Sequence, residues 1–104
     1  MDNIVIVGSS GHAKVVIDIV RQEGKYNIVG LLDRFRSVGD HTMGCPILGK
    51  EEDLPHLIQA HDLTGVIVAI GDNFVRAKVS AGIQEICPQL AFLSAVHPSA
   101  SIAS

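Results

Sequence analysis

Gly8-Ser9-Ser10-Gly11-His12 is the segment whose residue types carry the plainest chemistry. The apolar, β-branched run Ile4-Val-Ile-Val7 stops at Gly8, and a helical apolar pattern begins after Gly11. Strand, glycine turn and helix in that order leave backbone N–H groups at a helix N-terminus without partners. That end carries partial positive charge and suits a phosphate. The turn is a shortened relative of the dinucleotide fingerprint, with two glycines instead of three. Ala13 is small where the helix must pack close to the strand. Asp33 follows the second apolar run, the position at which such folds place an acid for ribose hydroxyls. His12 stands beside the expected phosphate and could donate an N–H to it. No carboxylate near it in sequence is placed to orient it as a base, so it is not expected to be catalytic alone. Among the arginines, Arg34 and Arg76 are the candidates for charge near a diphosphate, because both follow strand ends. Arg36 is a third cation in the same stretch, and Lys14 is read as solvated. Gly71 and Asn73 belong to another polar, glycine-containing turn, at the end of a later strand.

Elements of a particular kind must position these residues. Asn27–Leu32 and Gly65–Ile70 are continuous apolar runs, as expected of central parallel strands covered on both faces. Leu90–Leu93 is a weaker fourth strand. Between them, Val15, Val16, Ile19 and Val20 predict one helix face ending near Gly24. Glu51-Glu52-Asp53-Leu54-Pro55 predicts a helix entrance, with acids before the first turn and proline near its start. Leu54, Leu57, Ile58 and Leu63 are expected to face the sheet. A third helix starts near Asp72 or Asn73, presents Val75, Val79, Ile83 and Ile86, and stops at Pro88. The segment from Arg34 to Gly49 is expected to be a glycine-punctuated loop with room for a small hairpin. Alternation of this kind predicts an α/β fold, a Rossmann-like, doubly wound parallel sheet. Three polar turns, Gly8–Gly11, Asp33–Arg36 and Gly71–Asn73, then converge at the carboxyl ends of the strands, where such sheets bind ligands.

Composition narrows the function. The 104 residues are 47% apolar and 18% charged, which excludes a disordered tail and allows one domain with a modest core. A net charge of −3 argues against nucleic acid as a partner. No apolar run approaches the ~20 residues of a membrane span, and the N-terminus lacks a signal-peptide pattern, so a cytoplasmic location is expected. Cys45 and Cys87 lack metal or redox spacing and are expected to be buried thiols. His41, His56, His61 and His97 form no metal motif, so no metal is expected. No acid, base and nucleophile come together, and the chain reads as a binding module.

Taken in order, Gly8-Ser-Ser-Gly-His-Ala-Lys-Val-Val, Leu31-Leu-Asp33, Gly44-Cys-Pro-Ile-Leu-Gly49, Ala69-Ile-Gly-Asp-Asn73 with Arg76, and His97-Pro-Ser-Ala100 resemble one family. It is the N-terminal domain of bacterial sugar O- and N-acetyltransferases, which act on sialic acid, UDP-bacillosamine or perosamine. The resemblance implies a nucleotide-sugar-binding domain over residues 1–94. It implies that residues 95–104 lead into a left-handed parallel β-helix of hexapeptide repeats beyond this chain. That second domain would bind acetyl-CoA, carry the catalytic histidine and form a homotrimer, while the present chain alone would be inactive and could be monomeric. The family's work is cell-surface polysaccharide biosynthesis. By motif, Gly8, Ser9, Ser10, Gly11 and His12 would approach phosphates and proximal sugar, Asp33 and Arg34 the nucleoside, and Gly71, Asn73 and Arg76 the opposite wall. Some UDP-sugar relatives have two acids after the second strand where this chain has Asp33-Arg34, which leaves the nucleoside open. An NAD-binding oxidoreductase domain and a non-enzymatic nucleotide sensor are the alternative readings of the same turn.

Overall fold

A computed structural model describes residues 1–93. The residues 95–104, expected to lead into a second domain, lie outside the described part. The elements run β1 (Asp2–Val7), α1 (Gly11–Glu23), β2 (Tyr26–Leu32), β3 (His41–Thr42), β4 (Cys45–Gly49), a short 3-10 turn (Glu51–Asp53), α2 (Leu54–His61), β5 (Leu63–Val68), α3 (Asn73–Ile86) and β6 (Ala91–Phe92). They form a six-stranded sheet in the order β3-β4-β2-β1-β5-β6. Every pairing is parallel except the β3–β4 hairpin.

Central β1 is apolar and buried from Ile4 to Val7 because both its faces are covered there. Ile4 and Ile6 face α1, while Val5 and Val7 face α2 and α3. On the α1 side the stripe is Ala13, Val16, Ile17 and Val20, all buried. Val15, expected on that face, is 57% exposed. Positions 13, 16, 17 and 20 share one side of a helix at 3.6 residues per turn, and Val15 falls off it. Burial of each large aliphatic in such a stripe contributes about 1.5–3 kcal/mol.

Two other expectations shift. Leu63 opens β5 instead of ending α2, so Ala69 and Ile70 lie in the turn that follows the strand. In α3 only Ile83 is fully buried, while Val75 and Ile86 are more than two-fifths exposed. The helix ends at Ile86, before Pro88. The Arg34–Gly49 segment does hold a hairpin, and its second strand joins the parallel sheet beside β2, with Leu31 opposite Ile47. Met43 and Gly44 turn that hairpin with φ of 51° and 81°, the positive pair favoured by strand twist. Arg21 of α1 donates to the Met43 carbonyl at 2.6 Å and lies 3.4 Å from the Cys45 sulfur. Both cysteines are buried and unpaired. Burial pushes both thiols up, opposed at Cys45 by the Arg21 guanidinium.

Candidate functional site

In this strand order the chain leaves β1 through α1 to β2 on one side, and after β4 it crosses back through α2 to β5 on the other side of β1. A crevice opens where the chain direction reverses, at the carboxyl ends of β1, β2 and β5. A cleft of about 400 Å³ occupies that place. Gly8, Ser9 and Ser10 line it from the turn after β1, Asp33, Arg34 and Phe35 from the turn after β2, and Ile70 and Gly71 from the turn after β5. The three turns expected to converge do so.

Gly8 is demanded by the fold. Its φ is +110°, and a Cβ there would stand 2.8 Å from the Ala69 carbonyl oxygen. Its amide donates to the Leu32 carbonyl at 2.7 Å, which ties the turn to β2. Gly11 differs: nothing lies within 4 Å of where its Cβ would be. It opens α1, whose N-cap Ser10 makes no side-chain cap and whose first turn holds no acid. The first capped bond runs from the Lys14 amide to the Ser10 carbonyl at 3.1 Å. Among the described residues, the Gly11, His12 and Ala13 amides have no protein acceptor. Such unmet donors at a helix start are what an anion can satisfy.

Asp33 is held in place twice. The Ser9 hydroxyl donates to its Oδ2, and the Phe35 amide donates to its Oδ1 at 2.8 Å. Its own amide donates to the Gly49 carbonyl at 2.9 Å. Each carboxylate oxygen keeps a further lone-pair site for a ligand. Arg34 does not reach toward the glycine turn. It pairs with Glu52 at 2.6 Å and with Glu51 at 3.3 Å across the cleft mouth. Arg36 is occupied by the Thr42 hydroxyl and the His41 carbonyl.

Asn73 and Arg76 bond to each other, and Arg76 also donates to the Ile70 carbonyl at 3.4 Å. Arg76 therefore lines a second cleft, of about 760 Å³, together with His12, Ser80, Gln84 and Phe92. The first turn of α1 stands between the two clefts, with Ser10 lining one and His12 the other. Two residues of the first cleft escape sequence reasoning. Phe35 is 89% exposed on its rim, and Glu51 presents a largely buried carboxylate. An aromatic in a loop and an acid at a helix entrance carry no periodic signal. The one hint for Phe35 in the sequence is an aromatic two residues after a candidate binding acid. Among the described residues, no group of three or more His, Cys, Asp or Glu side chains could hold a metal ion, and no helix is long and apolar enough to cross a membrane.

Comparison with known proteins agrees with this fold. The family model described as the PglD N-terminal domain matches residues 3–83. A mutant of perosamine N-acetyltransferase from Caulobacter crescentus, solved with CoA and GDP-perosamine, superposes with a TM-score of 0.81 at 31% identity, over 95% of this chain and 44% of that one. The acetyltransferase domain of PglB from Neisseria gonorrhoeae FA1090 superposes at 0.69 with 24% identity, over 94% of this chain and 45% of that one. UDP-D-quinovosamine 4-dehydrogenase from Vibrio fischeri shares the fold at 0.71 with 15% identity, over 98% of this chain and 84% of that one. The chain thus spans less than half the length of the acetyltransferases it resembles. No curated protein sequence matches it.

Proposed function

The chain belongs to the PglD N-terminal domain family, and from that membership we propose that it is the nucleotide-sugar-binding half of a sugar acetyltransferase. The observation that carries the reading is the uncapped start of α1 between two clefts. In this reading the nucleoside lies in the first cleft, with ribose hydroxyls donating to the remaining lone pairs of Asp33. The diphosphate lies on the Gly11, His12 and Ala13 amides, and Gly11 leaves room for its approach. The sugar extends toward the second cleft, where His12 and Arg76 offer donors. Gly71 and Asn73 shape the far wall, and Arg34 closes the mouth through its ion pairs. The perosamine enzyme, solved with a nucleotide-linked sugar and CoA, supports this assignment.

Acetyl transfer from acetyl-CoA belongs to a companion domain, for which residues 95–104 would be the lead-in. There the sugar's amine or hydroxyl would attack the thioester carbonyl while a base takes its proton, and the C–S bond would break to release CoA as its thiol. The present domain contributes position, which lowers the barrier by fixing the acceptor near the thioester. A homotrimeric, cytoplasmic enzyme of surface-polysaccharide synthesis is the setting this reading implies. Thermal unfolding of the chain with nucleotide-sugars, NADH and acetyl-CoA tests it. A ligand that binds only the folded state raises the melting temperature. A rise with a nucleotide-sugar is expected; a rise with NADH alone would overturn the reading in favour of a dehydrogenase-type domain.

A further inference from the structure

We propose that the first cleft reads the base of its nucleotide through Glu51, and that the base it selects is guanine. This rests on the nucleotide-binding reading above and adds the substrate class to it. Ser9 is taken up by Asp33 and Ser10 belongs to the phosphate turn, so once Asp33 serves the ribose, Arg34, Phe35 and Glu51 are the polar and aromatic groups of the cleft left for a base. The remaining lining toward α3 is apolar, formed by Ile70, Val75 and Val79, and Phe35 stands exposed at the rim. An apolar wall with an aromatic beside it accepts any planar base and does not discriminate.

Discrimination must come from the polar edge. The Glu51 side chain is 17% exposed, and its Oε2 lies 3.3 Å from Arg34. Its Oε1 takes no hydrogen bond among the described residues. Arg34 is held from the other side by Glu52 at 2.6 Å, and Glu52 does not line the cleft. Arg34 therefore stays in place when Glu51 turns to a ligand. A carboxylate and a guanidinium side by side present acceptors next to donors. Guanine offers the matching edge: N1–H and the exocyclic amine donate to the carboxylate, and O6 accepts from the guanidinium. Uracil and thymine place a carbonyl on each side of their one N–H, so one carbonyl faces the carboxylate. Cytosine and adenine offer a single donor group next to an acceptor and leave half of the carboxylate unmet. A carboxylate removed from water and left partly unpaired is penalised, and this sets the preference.

Isothermal titration of the chain with GDP, IDP, UDP and CDP tests the proposal. IDP differs from GDP only by lacking the exocyclic amine. GDP is expected to bind tightest, about tenfold or more above UDP and about tenfold above IDP, the size expected for one hydrogen bond to a charged group. In Glu51→Gln the GDP and IDP affinities should converge. Equal binding of GDP and IDP by the unaltered chain, or UDP or CDP as tight as GDP, would overturn the assignment while leaving nucleotide binding intact. If none of the four binds, the nucleotide-binding reading fails, and the guanine assignment with it. The GDP–IDP comparison needs no variant, so a poorly folded Glu51→Gln protein would not blunt it.

Discussion

The sheet makes the same strand-to-helix turn twice at one edge and finishes it in opposite ways. After β5, the turn closes on itself. Asp72 caps α3 by accepting from the Val75 amide at 2.9 Å, and Arg76 clasps Asn73 and the Ile70 carbonyl. After β1, the turn stays open. Ser10 caps nothing, and Gly11 faces empty space. A helix start without caps forgoes about 1 kcal/mol that a serine, aspartate or asparagine there usually supplies. The chain has a serine in that position and does not use it. On the reading proposed above, the difference marks where the ligand goes: the turn after β5 meets a helix-start amide with its own carboxylate, and the open turn would leave that work to an anion.

The largest expected effect lies in the part of the open turn that the fold does demand. Gly8→Val would meet the Ala69 carbonyl and force a β-branched residue to positive φ, at a cost of about 3 kcal/mol or more in chemical denaturation. Three residues on, Gly11→Val should leave stability within about 1 kcal/mol of the native chain. It should nonetheless weaken nucleotide-sugar binding at least about tenfold, or ~1.4 kcal/mol. If both glycines proved equally costly to folding, the turn would be structural throughout and the contrast would collapse. Asp72→Ala should cost about 1 kcal/mol of stability with no ligand present. Ser10→Ala should then cost only a few tenths, within about 0.5 kcal/mol, as expected where no contact is lost. A Ser10→Ala loss as large as that of Asp72→Ala, in the same denaturation series, would mean that both helix starts are capped in solution.

The parts of this architecture readable in advance were those written as local pattern. Ile4–Val7 and Val66–Val68 are continuous apolar runs because both their faces are buried, and that signal needs no partner to interpret. The convergence of Gly8, Asp33 and Gly71 followed from the strand order. Less local features were hidden. Val15 and Ile17 are equally apolar, and only packing against β1 decides which one is buried. β4 is short and contains Pro46, so it resembles a loop until β2 is beside it. Arg34 looked available for a diphosphate because its partners, Glu51 and Glu52, lie 17 and 18 residues away. Those same partners make Glu51 part of the cleft, which sequence spacing could not reveal.

The pairing of β1 also bears on how the chain is made. Its first neighbour, β2, arrives early, with Asn3 opposite Asn27. Its second neighbour arrives much later, with Asn3 opposite Leu63. During synthesis on the ribosome, β1, β2 and the hairpin strand β4 can assemble while the other edge of β1 still waits for β5. For that interval a strand carrying the apolar run Ile4–Val7 offers a bare hydrogen-bonding edge, the kind that recruits strands from other molecules. Only when residues 63–68 emerge does the nascent chain cover it. The central position that makes β1 the anchor of the ligand cleft also makes it the most exposed strand of the newborn protein.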